Sequence, residues 1–193
     1  IERLKERGIA LQHLDFGGGL GVRYRNEVPT EPAEFAETVF QRLRDNPLEI
    51  IIEPGRAIAG NAGIMVTTVQ YLKSHATKHF AVVDAGMNDL MRPSLYQAEH
   101  DIVTVHEAPD AQSHNFDIVG PICETGDFLA RGRDMAIAEG DLLAVRTTGA
   151  YGAVMSSHYN ARPRCAEVMV DGDKVMCVRK AETYEDLYRN ELM

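Results

Sequence analysis

Leu48-Glu49-Ile50-Ile51-Ile52 is the segment that most narrows the folds open to this chain. Its aliphatic run is almost unbroken, so it lacks the in–out alternation of a strand with one wet face. It has the pattern expected of a parallel strand covered on both faces. Parallel strands need a crossover between them, and the preceding residues supply one. Ile9 to Phe16 reads as a short apolar strand. Glu31 to Arg44 carries Phe35, Val39, Phe40 and Leu43 at roughly helical spacing, with Pro32 near the helix start and Asn46-Pro47 closing it. Strand, helix, strand makes one right-handed crossover unit. Ahead of it, residues 1–8 read as the end of a helix stopped by Gly8.

From Gly63 onward the texture changes to short β-rich runs. These are Ile64 to Leu72, His79 to Asp84, Ile102 to His106, Phe116 to Val119, Leu142 to Arg146, Ala166 to Val170 and Val175 to Arg179. Asp171-Gly172-Asp173 between the last two is a hairpin signal. Thr183 is a plausible N-cap for a final helix to Leu192. There is no internal repeat and no low-complexity linker. The expected division is therefore α/β over residues 1–58 and mainly β over residues 59–193.

Composition excludes several function classes. Of 193 residues, 45% are hydrophobic, enough for a real core, and the net charge is −9. A nucleic-acid partner would need a basic face, and no apolar run approaches the roughly 20 residues of a membrane span. Cys123, Cys165 and Cys177 are odd in number and widely spaced, which suits a reducing compartment and offers no zinc pattern. The opening Ile1-Glu2-Arg3-Leu4-Lys5 reads as the middle of a helix, not a signal peptide, so the chain is expected to be a fragment or a processed product.

Five stretches have the residue types of a chemical site. In Leu14-Asp15-Phe16-Gly17-Gly18-Gly19-Leu20-Gly21, glycines allow close ligand approach and their N–H groups can cradle a phosphate. Val22 stands where a dinucleotide fingerprint needs glycine, and a tight turn explains the run equally well. Glu53-Pro54-Gly55-Arg56 lies at the carboxyl end of the second strand, where parallel α/β sheets bind ligands. Its arginine can grip a phosphate, against the bland reading of a surface ion pair. In Met91-Arg92-Pro93-Ser94-Leu95-Tyr96, Arg92 and Tyr96 would share a helical face and suit a substrate carboxylate, although alone the segment reads as a solvated loop. Cys123-Glu124 sets a thiol beside a carboxylate, whereas a lone cysteine is most often inert. Gly149-Ala150-Tyr151-Gly152 offers a phenol between glycines, or simply a loop anchor. His158, a little further on, reads as structural.

In this order the motifs resemble the fold-type III pyridoxal-phosphate-dependent decarboxylases over nearly all 193 residues. Met91-Arg92-Pro93 and Cys123-Glu124 are similar to the branch that converts meso-diaminopimelate to L-lysine. The resemblance implies the last two β/α units of a TIM-like barrel, then a C-terminal β-sandwich or barrel-like domain with a terminal helix. It implies pyridoxal 5′-phosphate as cofactor, with Gly18, Gly19, Gly55 and Arg56 at its phosphate and Glu53 at its pyridinium nitrogen. Arg56, Arg92, Tyr96 and Glu124 would hold the amino-acid substrate, Tyr151 would touch cofactor and substrate, and Cys123 would donate the proton. It also implies a cytoplasmic homodimer in which Cys123 and Glu124 serve the partner's active site, and no metal. The lysine that tethers the cofactor in this family has no counterpart among Lys5, Lys73, Lys78, Lys174 and Lys180. The chain is expected to be the C-terminal half of such an enzyme, inactive alone. The alternatives are a decarboxylase of a polyamine-precursor amino acid and a non-catalytic dimerisation or binding fragment.

Overall fold

The computed structural model describes residues 1–106 and 112–192. Helix α1 (Glu2–Lys5) runs out at Gly8, whose φ of +76° is a left-handed stop that costs glycine little. Strands β1 (His13–Asp15) and β2 (Glu49–Ile51) pair in parallel, with Leu14 opposite Ile50, and α2 (Pro32–Leu43) makes the crossover between them. Pro32 sits in the first turn of α2, where its missing N–H has no intrahelical use.

The expectation that Leu48–Ile52 is covered on both faces is not met in this chain. Ile52 is 45% exposed, and α2 contains no buried residue. Two short strands and one helix are too few layers to cover both faces of a sheet.

The main core lies beyond helix α3 (Gly55–Ala59) and the tight turn that follows it. Six strands form one mixed sheet: β3 (Met65–Ser74), β4 (His79–Val83), β5 (Ile102–Thr104), β6 (His114–Val119), β7 (Phe128–Met135) and β8 (Leu142–Val145). Their order is β5-β8-β3-β4-β6-β7, and only β4 and β6 run parallel. All six strands contribute to a single core, through Val69, Val83, Ile102, Ile118, Leu129, Leu143 and their neighbours. A flat sheet could not bring its two edges into one cluster, so this one curls. A bulge between Val69 and Tyr71 helps it turn: the first half of β3 pairs with β8 and the second half with β4. The Arg133 guanidinium of edge strand β7 donates to the His100 carbonyl beside edge strand β5, at 3.1 Å. The result is a nearly closed barrel, not two stacked sheets.

Sequence patterning misses β7. Its centre, Arg131-Gly132-Arg133-Asp134, interrupts any alternation. The structure absorbs the interruption as a bulge. Gly132 adopts φ +59°, the β6–β7 register shifts between Phe116 and Ile118, and the Gly132 N–H donates to Asp117 Oδ1 at 2.8 Å.

Strands β9 (Glu167–Asp171) and β10 (Lys174–Arg179) form the expected hairpin, with Gly172 at φ +60°. Val168, Val170, Val175 and Val178 on it are all more than half exposed. The last helix, α5 (Tyr184–Tyr188), is capped by reciprocal bonds between Thr183 and Asp186. Among the described residues, no helix is long and apolar enough to cross a membrane.

Candidate active site

Because β1 and β2 are parallel and in register, their carboxyl ends lie side by side. The Gly17 N–H donates to Asp15 Oδ1 at 2.7 Å, and the Glu53 N–H donates to the Gly17 carbonyl at 2.7 Å. The glycine run and the Glu-Pro-Gly-Arg motif are therefore one site. Gly19 needs glycine for its φ of +101°, and Gly18 needs it for closeness, since a Cβ there would lie 3.2 Å from the Glu53 carbonyl oxygen. The amides of Gly18 and Gly19 have no acceptor among the described residues. Exposed glycine amides and, on the first turn of α3, Arg56 supply donors and a charge that fit a phosphate group.

The sheet reaches this site through backbone. The Thr148 N–H donates to the Gly63 carbonyl at 2.9 Å, and the Gly149 N–H donates to the Gly60 carbonyl at 3.1 Å. A Cβ on Gly63 would run into the Gly149 backbone, and one on Gly149 into the Ala59 carbonyl oxygen. The next turn projects Tyr151, which has a left-handed φ of +64°. Its ring centre lies 5.8 Å from the Arg92 guanidinium.

Arg92 starts α4 (Arg92–Tyr96), with Pro93 in the first turn, so the proline starts a helix instead of breaking one. The Arg92 side chain is buried, with the residue only 8% exposed. Its guanidinium lies 4.7 Å from the Tyr24 ring centre and 3.2 Å from His100 Nε2. His100 is wholly buried, stands edge-on to Tyr24 at 5.1 Å, and has Nδ1 2.9 Å from the Arg146 carbonyl. Burial pushes this imidazole below its ordinary range, outweighing the bond to the Arg146 carbonyl, and the neighbouring guanidinium pushes the same way as burial. Tyr96 lies one turn further along the same short helix and is 62% exposed, open to whatever docks against that face.

Cys123 and Glu124 stand exposed on the loop between β6 and β7. Asp127 braces that loop from within. Its buried carboxylate accepts the Met87 N–H at 2.7 Å and the Ile122 N–H at 2.8 Å. Burial nonetheless pushes this carboxyl above the ordinary range, outweighing the two amide bonds. The Ser94 hydroxyl donates to the Gly126 carbonyl at 2.7 Å, tying α4 to the same loop. The Tyr159 hydroxyl donates to Glu124 Oε2, and that bond raises the phenol's pKa. His158 is held by Glu182 at 2.6 Å, consistent with its structural reading.

The sequence-predicted residues thus fall into two groups. Gly18, Gly19, Glu53, Gly55 and Arg56 gather at the strand ends, while Tyr151, on the turn after Gly149, stands beside Arg92. Cys123 and Glu124 form a second group, joined to the first through α4. Sequence reasoning missed Tyr24, His100, Asp127 and Tyr159. Tyr159 lies in the polar, aromatic sequence Ser157-His158-Tyr159-Asn160, and no spacing rule joins it to Glu124.

Residues 20–149 match the family described as pyridoxal-dependent decarboxylase, C-terminal sheet domain. The diaminopimelate decarboxylase of Pseudomonas aeruginosa is 54% identical over 191 residues, covering 99% of this chain and 46% of its own. The diaminopimelate decarboxylase of Helicobacter pylori, solved with L-lysine, superposes at a TM-score of 0.88 and 40% identity, over 97% of this chain and 46% of that one. The lysine/ornithine decarboxylase of Vibrio vulnificus, solved with cadaverine, superposes at 0.75 and 26% identity, over 85% of this chain and 46% of that one. The chain spans about half the length of the curated relatives it matches. The motif order, the nearly closed sheet and these matches agree: this chain belongs to the pyridoxal-dependent decarboxylase family and carries its C-terminal sheet domain.

Proposed function

We propose that this chain is the C-terminal half of an enzyme that decarboxylates meso-diaminopimelate to L-lysine with pyridoxal 5′-phosphate. Residues 1–58 are read as the last two β/α units of the cofactor-binding barrel, and residues 59–193 as the sheet domain. The parallel β1–β2 pair with its crossover supports the first part. The exposure of Ile52 and Phe40 fits a unit whose remaining strands belong to the rest of the enzyme.

The observation that carries the substrate assignment is Arg92. A guanidinium in a residue only 8% exposed has no carboxylate partner among the described residues. A buried charge left unpaired is costly, so the site suits a ligand that brings an anion. meso-Diaminopimelate has a carboxylate and an ammonium at its far end; ornithine and lysine have only the ammonium. Arg92, with Arg56 and Tyr96, would hold the far carboxylate, and Glu124 the far ammonium.

Gly18, Gly19, Gly55 and Arg56 would hold the cofactor phosphate, Glu53 its ring nitrogen, and Tyr151 its edge toward the substrate. When bound, pyridoxal phosphate supplies an electron sink for the pair left as CO2 departs. Cys123 Sγ would donate a proton to the carbon that lost CO2, and the resulting thiolate would take a proton back from solvent. The exposure of Cys123 and Glu124 suits a role across a homodimer interface, at the partner's site, in an enzyme we read as cytoplasmic.

The test is CO2 release by the full-length enzyme, loaded with cofactor, from meso-diaminopimelate, L-lysine and L-ornithine. A kcat/KM for meso-diaminopimelate at least a hundredfold above the others is expected. A preference for L-ornithine or L-lysine would overturn the reading in favour of a polyamine-forming enzyme.

A further inference from the structure

We propose that His100 is a positioning residue for substrate binding: it holds Arg92 by accepting a hydrogen bond as a neutral imidazole in one fixed tautomer. The inference rests on the reading of Arg92 as the ligand of the substrate's far carboxylate.

The tautomer follows from its two partners. The Arg146 carbonyl, 2.9 Å from Nδ1, can only accept, so Nδ1 carries the hydrogen. The Arg92 guanidinium, 3.2 Å from Nε2, can only donate, so Nε2 presents its lone pair. An imidazolium would set two donors against each other at Nε2 and could not hold Arg92. Complete burial favours the same neutral form.

The ring is fixed on every side that matters. Its own carbonyl accepts from Arg133 of β7, at 3.1 Å. The next residue, Asp101, accepts the Arg146 N–H at 2.8 Å through its carbonyl and donates its own N–H to the Tyr24 carbonyl at 3.1 Å. His100 therefore sits where β5, β7, β8 and the Tyr24 loop converge. It passes that rigidity to one edge of the Arg92 guanidinium, while the Tyr24 ring covers its face. A guanidinium held by one edge and one face keeps its remaining N–H groups aimed in one direction, which is what bidentate capture of a carboxylate needs.

His100 could instead matter only for folding, so the test must separate its two bonds. In the full-length enzyme with cofactor, His100→Asn places an amide nitrogen near the Nδ1 position, keeping the Arg146 bond and losing the Arg92 acceptor. His100→Gln places an amide oxygen near the Nε2 position, keeping the acceptor and losing the Arg146 bond. The Asn variant is expected to raise KM for meso-diaminopimelate by roughly tenfold, and to weaken by a similar factor the calorimetric binding of L-lysine as product, whose carboxylate is the one the substrate carries at its far end. The Gln variant should bind within about threefold of the parent, whatever its melting temperature. Equal losses in both variants, or a larger loss in the Gln variant, would overturn the proposal. Arg92→Ala tests the underlying reading separately. If it leaves KM unchanged, Arg92 is not the carboxylate ligand. If it raises KM while His100→Asn does not, only the positioning role fails.

Discussion

The Tyr159 hydroxyl donates to Glu124 Oε2 at 3.2 Å, so the carboxylate beside Cys123 is anchored by a turn 35 residues further along the chain. If Glu124 receives the substrate's ammonium, Tyr159→Phe frees that carboxylate to rotate. KM for meso-diaminopimelate should rise roughly threefold to tenfold, the net worth of one ordinary hydrogen bond at an exposed site. The kcat should change less. Steady-state kinetics on the full-length enzyme checks both.

Cys123→Ala removes the proposed proton donor without disturbing the brace beneath it, because Asp127 holds the loop through the amides of Met87 and Ile122. Cofactor absorbance should persist through dialysis, while kcat falls by roughly 10²–10⁴-fold, the usual worth of a positioned acid or base. Unchanged turnover would remove Cys123 from the mechanism.

Asp127→Ala leaves two amides of the Cys123 loop region without their acceptor. The cost is expected to be about 2–4 kcal/mol, read as a lower midpoint in urea with an unchanged slope.

Gly149→Ala should behave unlike Gly126→Ala, although both add one methyl. At Gly149 the methyl meets the Ala59 carbonyl oxygen, while at Gly126 its nearest neighbour is Glu124 Cγ at 4.0 Å. The first is expected to cost about 1–3 kcal/mol by overpacking and to weaken cofactor binding. The second should stay within about 0.5 kcal/mol. Paired melting curves and cofactor titrations decide.

His100 makes stability fall in acid. Its pKa in the fold lies below the unfolded value near 6.5, so the unfolded chain takes up the proton first. The contribution is whole above that value and is lost as pH falls through the folded pKa. Around the ring stand Arg92, Tyr24 and the Arg146 carbonyl, with Arg133 on the His100 carbonyl. Among the described residues, no carboxylate bonds the ring. His100→Gln should flatten the pH dependence of unfolding free energy below about pH 6.5, which denaturation at several pH values measures.

Local chemistry made much of this molecule legible before its structure. The glycine run, Glu53-Pro54-Gly55-Arg56 and the Asp171-Gly172-Asp173 turn depend on backbone freedom that only certain residues permit, and each lies where its sequence places it. The illegible parts depend on distant partners. Strand β7 hid behind charges whose bulge makes sense only against Asp117. The bonds of His100 to Arg92 and Arg146, and of Tyr159 to Glu124, join residues 8, 46 and 35 positions apart, with no periodicity to announce them. The regular spacing of Arg92 and Tyr96 places both on one short helix, but it does not announce that Arg92 is buried over the Tyr24 ring while Tyr96 stays exposed.

The contact of Gly63 with Gly149 has a consequence for how such a protein can change over time. The seat of Tyr151 relative to Arg56 is set where main chain lies on main chain, with no side chain interposed. Replacements elsewhere can remodel the cavity, its charge and its breadth without shifting that seat. At these two positions a single added carbon would shift it. A lineage exploring new substrates therefore has wide latitude around the rim and almost none at a joint whose specification is two hydrogen atoms.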